Sequence, residues 1–128
     1  MLDKIRGVLK KEKNVLFAYL FGSYATSPEY ANDIDIAVYL KRLTPKCEIN
    51  LAMKIEKEIK KETEVIALND KPLIIIAEVL RTGKLIFSRD EKKRVDFETR
   101  ILPEIFDFNE LMREFDEKRF ERYGVRQE

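Results

Sequence analysis

The chain has 128 residues, enough for one domain with a real core, and its 25 basic and 24 acidic side chains leave a formal net charge of +1, so nothing in the total demands nucleic acid as a partner. It contains no histidine. That excludes Ser-His-Asp and Cys-His chemistry and nearly all zinc catalysis, and leaves oxygen ligands, hence Mg²⁺ or Mn²⁺, for any metal site.

Residues Leu2 to Lys11 carry apolar side chains at Leu2, Ile5, Val8 and Leu9, a helical spacing with a charged opposite face. Val15 to Phe21 is apolar without interruption, as a strand buried on both faces requires. A polar loop from Tyr24 to Asn32 contains the turn signal Ser27-Pro28, and Asp33 to Leu40 reads as a second strand. Thr44-Pro45 predicts a helix N-cap with proline in the first turn, the helix running to about Lys61 with Leu51, Ala52, Ile55 and Ile59 inward. Cys47 falls on that helix and reads as packing. Thr63 to Leu68 predicts a third strand, Leu73 to Arg81 a helix stopped by Gly83 as a C-cap, and Lys84 to Phe87 a short strand. From Asp90 the pattern is helical, with a bend expected around Pro103. The expected fold is α/β or α+β: a small mixed sheet flanked by helices, in a single domain with a core over about 1–88 and C-terminal helices over about 90–123. No apolar run approaches the roughly 20 residues that cross a membrane. The N-terminal residues lack the apolar stretch of a signal peptide, and a lone cysteine fits a reducing compartment, so the expected location is the cytoplasm.

The most informative stretch runs from Phe21 to Tyr39, F-G-S-Y-A-T-S-P-E-Y-A-N-D-I-D-I-A-V-Y. An apolar strand ends in Gly22-Ser23, and after the loop Asp33 and Asp35 flank an isoleucine at the start of the next strand. Alternate strand residues share a face, so the two carboxylates stand roughly 6.5–7 Å apart while Ile34 and Ile36 face the other way. Gly22 has no Cβ to keep the backbone from a phosphate, and Ser23 offers a hydroxyl. Two carboxylates beside such a turn suit Mg²⁺ carrying nucleotide phosphates.

This order of motifs resembles the DNA polymerase β-type nucleotidyltransferases, and within them the minimal nucleotidyltransferases, small prokaryotic proteins paired with HEPN-domain toxins. The core resemblance spans Leu16 to Ser88. It implies the polymerase β-like fold, with Asp33 and Asp35 as metal ligands and catalytic groups. Glu64, which opens the third strand, matches the family's third carboxylate as base or ligand, with Glu62 two residues earlier as the reserve candidate. Gly22 and Ser23 would contact the nucleotide. The implied reaction moves AMP from ATP, with Mg²⁺ or Mn²⁺, onto a hydroxyl, the implied acceptor being a tyrosine of a HEPN toxin, which makes this chain the antitoxin. Two alternatives stay open: a catalytically degraded antitoxin that acts by contact alone, and transfer to a small molecule of the aminoglycoside kind. Self-association is also left open.

The sequence departs from that family's pattern in three places. Thr26-Ser27 stands where Arg-Gly is usual after Gly-Ser-x-Ala, Asn32 replaces a serine, and the loop between Ser23 and Asp33 holds nine residues rather than ten. The missing arginine removes a geometrically specific phosphate contact. Lys41, Arg42 and Lys84 are candidates for replacement charge.

Val95 to Tyr123 holds five of the eight phenylalanines, more apolar surface than cover for a small sheet needs. Some of Phe106, Phe108, Met112 and Phe115 are therefore expected to stay exposed for a partner. The basic residues there, Arg113, Lys118, Arg119, Arg122 and Arg126, alternate with acids and read as a solvated face rather than a nucleic-acid patch.

Overall fold

The computed structural model describes residues 1–22 and 33–122, with side chains excluded at 108, 109, 111, 112 and 114–122. The chain forms two compact units, the first spanning Met1–Val95 and the second beginning at Asp96.

In the first unit, helix α1 (Leu2–Lys11) leads into strands β1 (Val15–Phe21) and β2 (Asp33–Leu40), followed by helix α2 (Cys47–Ile59) and strand β3 (Glu62–Ala67). A 3₁₀ turn (Leu68–Asp70), helix α3 (Leu73–Thr82), strand β4 (Lys84–Ser88) and the start of helix α4 (Glu91–Arg122) complete it. The four strands form one mixed sheet in the order β3-β2-β1-β4, with β2 parallel to β3 and antiparallel to β1, and β1 antiparallel to β4. The expected mixed α/β architecture is the one observed.

Alternation along the strands divides the sheet into two faces. Ile34, Ile36, Val38 and Leu40 of β2 join Ala18 and Leu20 of β1, Val65 and Ala67 of β3 and Ile86 of β4 in one buried cluster with Ile5 and Leu9 of α1 and Leu51 and Ile55 of α2. An irregularity in the β1–β2 register between Val15 and Phe17 shifts the alternation by one residue. Val15 therefore joins the same cluster as Ala18 and Leu20. The opposite face carries Phe17, which stacks on Tyr39 with ring centroids 5.0 Å apart and meets Tyr19 edge-on at 5.9 Å. This central strand is thus apolar on both faces because both are covered.

Two polar clasps fix the strand ends remote from Gly22. Asn69 accepts from the Leu40 amide and donates to its carbonyl, at 2.9 and 2.7 Å. Arg89 donates to the carbonyls of Val15, Leu9 and Lys10, a cation placed on the C-terminal end of α1, where the helix dipole favours it.

Two local expectations need correction. Lys46, in a left-handed conformation, and not Thr44 precedes the first turn of α2, and Thr44-Pro45 instead forms the turn closed by the Cys47 amide on the Thr44 carbonyl. Strand β3 starts at Glu62, one residue earlier than expected. Gly83 is the C-cap of α3, as expected, with extended backbone (φ −85°). Its requirement is steric, since a Cβ would collide with the Val79 carbonyl. Helix α4 continues through Pro103. In the second unit, Phe97, Ile101 and Ile105 recur every four residues and are buried, while Phe106 is 72% exposed and Leu102 half exposed. The expectation of an unburied phenylalanine holds at Phe106; the side chains of Phe108, Met112 and Phe115 lie outside the described residues. Among the described residues, no helix is long and apolar enough to cross a membrane.

Candidate active site

Sheet register decides which sequence-predicted residues meet. Phe21, the last residue of β1, pairs with Asp35, and Asp35 pairs in turn with Glu64 on the far side. Asp33 pairs with Glu62. Four carboxylates therefore stand at the adjoining starts of two parallel strands, about 4.8 Å apart across the ladder, beside the point where β1 ends. Both the first-choice Glu64 and the reserve Glu62 are in this group, and register distinguishes them: Glu64 is the neighbour of Asp35 and Glu62 that of Asp33.

Gly22 follows at once with φ +77°, a left-handed conformation that costs any other residue strain. Space demands glycine as well. A Cβ built here would fall on Asp35 Oδ2 and come within 3.1 Å of its Cγ and 3.3 Å of its Cβ. The turn and the central carboxylate are thus in contact, and that contact exists only because the side chain at 22 is hydrogen. Ser23, Thr26-Ser27 and Asn32 lie outside the described residues.

Asp35 holds its proton more tightly than a free aspartate. Partial burial is the main cause, followed by the charges of Asp33 and Glu64 and a hydrogen bond between the Asp35 and Glu64 carboxyl groups. Among the described residues, no lysine or arginine forms an ion pair with Asp33, Asp35, Glu62 or Glu64. An all-oxygen donor set with uncompensated negative charge fits a hard divalent cation. Among the described residues, no three ligating groups converge with metal-binding geometry.

Of the three basic candidates, Lys84 pairs with Leu20 at the Gly22 end of the sheet. Lys41 and Arg42 follow the other end of β2, roughly 25 Å of strand away from Asp33 at about 3.3 Å per residue. They are not replacements for a phosphate-binding arginine at this site.

The sequence reading missed a groove that starts at the carboxylates and follows the outer edge of β3. Its volume is about 400 Å³, and its walls include Asp33, Glu62, Glu64 and the α2 residues Ile49, Met53 and Glu56. The signal was present: Ile49 and Met53, four residues apart, are apolar yet fall off the inward stripe of Leu51, Ile55 and Ile59.

An antiparallel–parallel sheet with carboxylates on the strand after a glycine turn defines a phosphate-transfer scaffold of the nucleotidyltransferase class. The family model for Polymerase beta, Nucleotidyltransferase matches residues 3–92, and the chain belongs to that family. No curated relative matches by sequence. Among solved structures, the chain is similar to a chain of a toxin–antitoxin crystal structure with AMP-PNP, at 19% identity and TM-score 0.70, covering 97% of this chain and 98% of the other. It is also similar to a chain of a tri-AMPylated Shewanella oneidensis HEPN toxin in complex with MNT antitoxin, at 24% identity and TM-score 0.66 over 88% and 87%. A third similarity is to a chain of the toxin–antitoxin MntA-HepT, at 23% identity and TM-score 0.65 over 88% of each.

Proposed function

We propose that this chain transfers a nucleoside monophosphate, AMP from ATP, onto a hydroxyl of a HEPN-type toxin and thereby acts as its antitoxin. The observation that carries the reading is the alignment of Gly22, Asp35 and Glu64 across three adjacent strands, with Asp33 alongside. In this reading the acceptor oxygen forms a bond to the α-phosphorus, the bond from that phosphorus to the pyrophosphate oxygen breaks, and Glu64 takes the hydroxyl proton. Gly22 lets the phosphate chain approach the main chain, with Ser23 beside it. Asp33 and Asp35 would hold Mg²⁺, which when bound offsets the charge of the phosphates and of the departing pyrophosphate. The core to about residue 88 carries the chemistry, and the helical segment from about residue 90 serves the partner.

The toxin–antitoxin assemblies among the structural neighbours support the partner class, and the AMPylated toxin in one of them supports adenylyl transfer. A second reading, an antitoxin that acts by contact alone, is favoured by the departures from the family's motif at Thr26-Ser27, where the usual arginine is missing, and at Asn32. Incubating the chain and its co-expressed partner with α-labelled ATP and Mg²⁺ tests both. Label on the partner supports the enzyme. Neutralisation of the partner without label supports the binder, and label appearing only on an added aminoglycoside would move the acceptor to small molecules.

A further inference from the structure

The groove beside the site lies on the acceptor side of the chemistry. Strand order runs from Gly22 on the nucleotide side, through Asp33 and Asp35, to Glu62 and Glu64 on β3, which is the outermost strand. A nucleotide seated at the glycine turn leaves the β3 side for whatever delivers the hydroxyl.

That outer edge is unusual in how its main chain is satisfied. The Thr63 amide donates to Glu56 Oε1 at 2.8 Å and the Ala67 amide donates to Glu48 Oε2 at 2.8 Å. Residues 63, 65 and 67 turn their main-chain groups outward, so two of those three amides are already taken by carboxylates from α2. An incoming strand would have to displace both, and strand addition is therefore disfavoured. Recognition along this edge falls to side chains.

The side chains offered are of two kinds. Ile49 and Met53, at 63% and 62% exposure, form an apolar ridge on α2. Around it stand Asp33, Glu56, Glu62 and Glu64, and among the described residues no basic side chain lines the groove. Glu48, the remaining acid, is matched by Lys71 Nζ at 3.1 Å. An apolar ridge inside an uncompensated acidic rim repels nucleic acid and acidic protein, and complements a basic segment with one apolar anchor.

Resting on the transfer reading above, we infer that the β3–α2 groove is the docking site for the acceptor polypeptide, holding a segment with Lys or Arg beside the reactive hydroxyl and an apolar side chain against Ile49 and Met53.

The probe is a displayed library of random 12-residue peptides selected against the full chain. Binding of selected peptides is then compared between wild type and the exposed-site variants Ile49→Lys, Met53→Lys and both together. The expected result is selection of Lys- or Arg-bearing peptides that also carry a hydroxyl and a large apolar residue. They should lose at least about tenfold in affinity to the double variant, the scale of losing a central apolar anchor, and weaken as salt rises. Selection without basic bias, no selection at all, or equal affinity for the double variant would overturn the assignment. So would concentration-dependent self-association by light scattering that the double variant abolishes, since the groove would then hold a second copy. Mg²⁺-dependent ATP binding is measured on the same samples. Its absence from the wild type counts against the transfer reading while leaving the peptide result to stand, and its presence with an unaffected double variant rejects the groove alone.

Discussion

Replacing Gly22 by alanine isolates the contact between the turn and the central carboxylate. Two separable penalties arise. The backbone one follows from φ +77°: a residue with a Cβ in the left-handed region pays about 1–2 kcal/mol. The second is steric. The new methyl group would overlap Asp35 Oδ2 and press on Cγ at 3.1 Å, and because a carboxylate is the end of a short side chain, rotation of Asp35 is the cheapest relief. An off-rotamer side chain costs about 0.5–1.5 kcal/mol. The sum is a loss of roughly 1.5–3.5 kcal/mol, and relief by rotation also takes Asp35 out of line with Glu64.

A double-mutant cycle with Asp35→Ala separates the two, since that change removes Oδ2 and Cγ but leaves the Cβ at 3.3 Å. Urea denaturation of the four proteins is the assay. Gly22→Ala should cost less in the Asp35→Ala background, by at least about 0.5 kcal/mol, the usual coupling of residues in contact. An identical cost in both backgrounds would refute the steric argument. No cost in either would refute the left-handed turn itself.

Three further outcomes are expected. Removing both aspartate charges, Asp33→Asn with Asp35→Asn, should abolish Mg²⁺-dependent ATP binding in calorimetry yet raise the melting temperature of the ligand-free chain. The sign follows from the raised proton affinity of Asp35: a carboxyl whose folded pKa exceeds its unfolded value loses stability for the fold as pH rises from about 3.8 through the folded value, so at neutral pH the full penalty is present and asparagine removes it. A melting-temperature gap between the double variant and wild type that does not widen from pH 4 to pH 7 would contradict that. Glu64→Gln should lower turnover at least ~10²-fold with a smaller effect on ATP binding; loss in Glu62→Gln instead would transfer the role to the residue beside Asp33. Phe106→Ser, at a position 72% exposed, should change stability by less than about 0.5 kcal/mol but weaken partner association in pull-down, and undiminished association would place the interface elsewhere.

The strands and helices were legible because their apolar periodicity coincides with what they bury. Leu2–Lys11, Val15–Phe21 and Asp33–Leu40 carry the same boundaries in sequence and structure. Helix and strand ends were less so. Thr44-Pro45 has the chemistry of a cap, but a proline at the following position serves equally in a turn, and local residues do not say which. Gly83 was legible as the C-cap of α3, but the reason for glycine there, the approach of a carbonyl from the preceding helical turn, was not. Asp33 and Asp35 were legible as a pair from alternation alone. That Asp35 rather than Asp33 touches the glycine turn, and that Glu64 is its neighbour, depends on inter-strand register, which no local pattern encodes. The groove was hidden for the same reason, since α2 and the edge of β3 meet only in the folded chain.

Register also explains why core and chemistry are so closely bound in this chain. On β2, even-numbered residues Ile34, Ile36 and Val38 are fully buried under the helices, and odd-numbered Asp33 and Asp35 face the other way. A slip of one residue against β1 would send the isoleucines to the carboxylate face and drive both aspartates into the apolar cluster. Burial of two unpaired charges costs several kcal/mol each. The same alternation that specifies the core therefore fixes the register, and the register alone brings Asp35 to Gly22 and Glu64. The aspartates cannot drift relative to the glycine turn without dismantling the core, so the mutual repulsion at Asp35 is borne by interactions on the opposite face of the same strand. That is why a charge-removing substitution at the site is expected to raise stability rather than lower it, and why substitutions beneath it, such as Ile36→Ala, would disturb the site only by weakening the sheet as a whole.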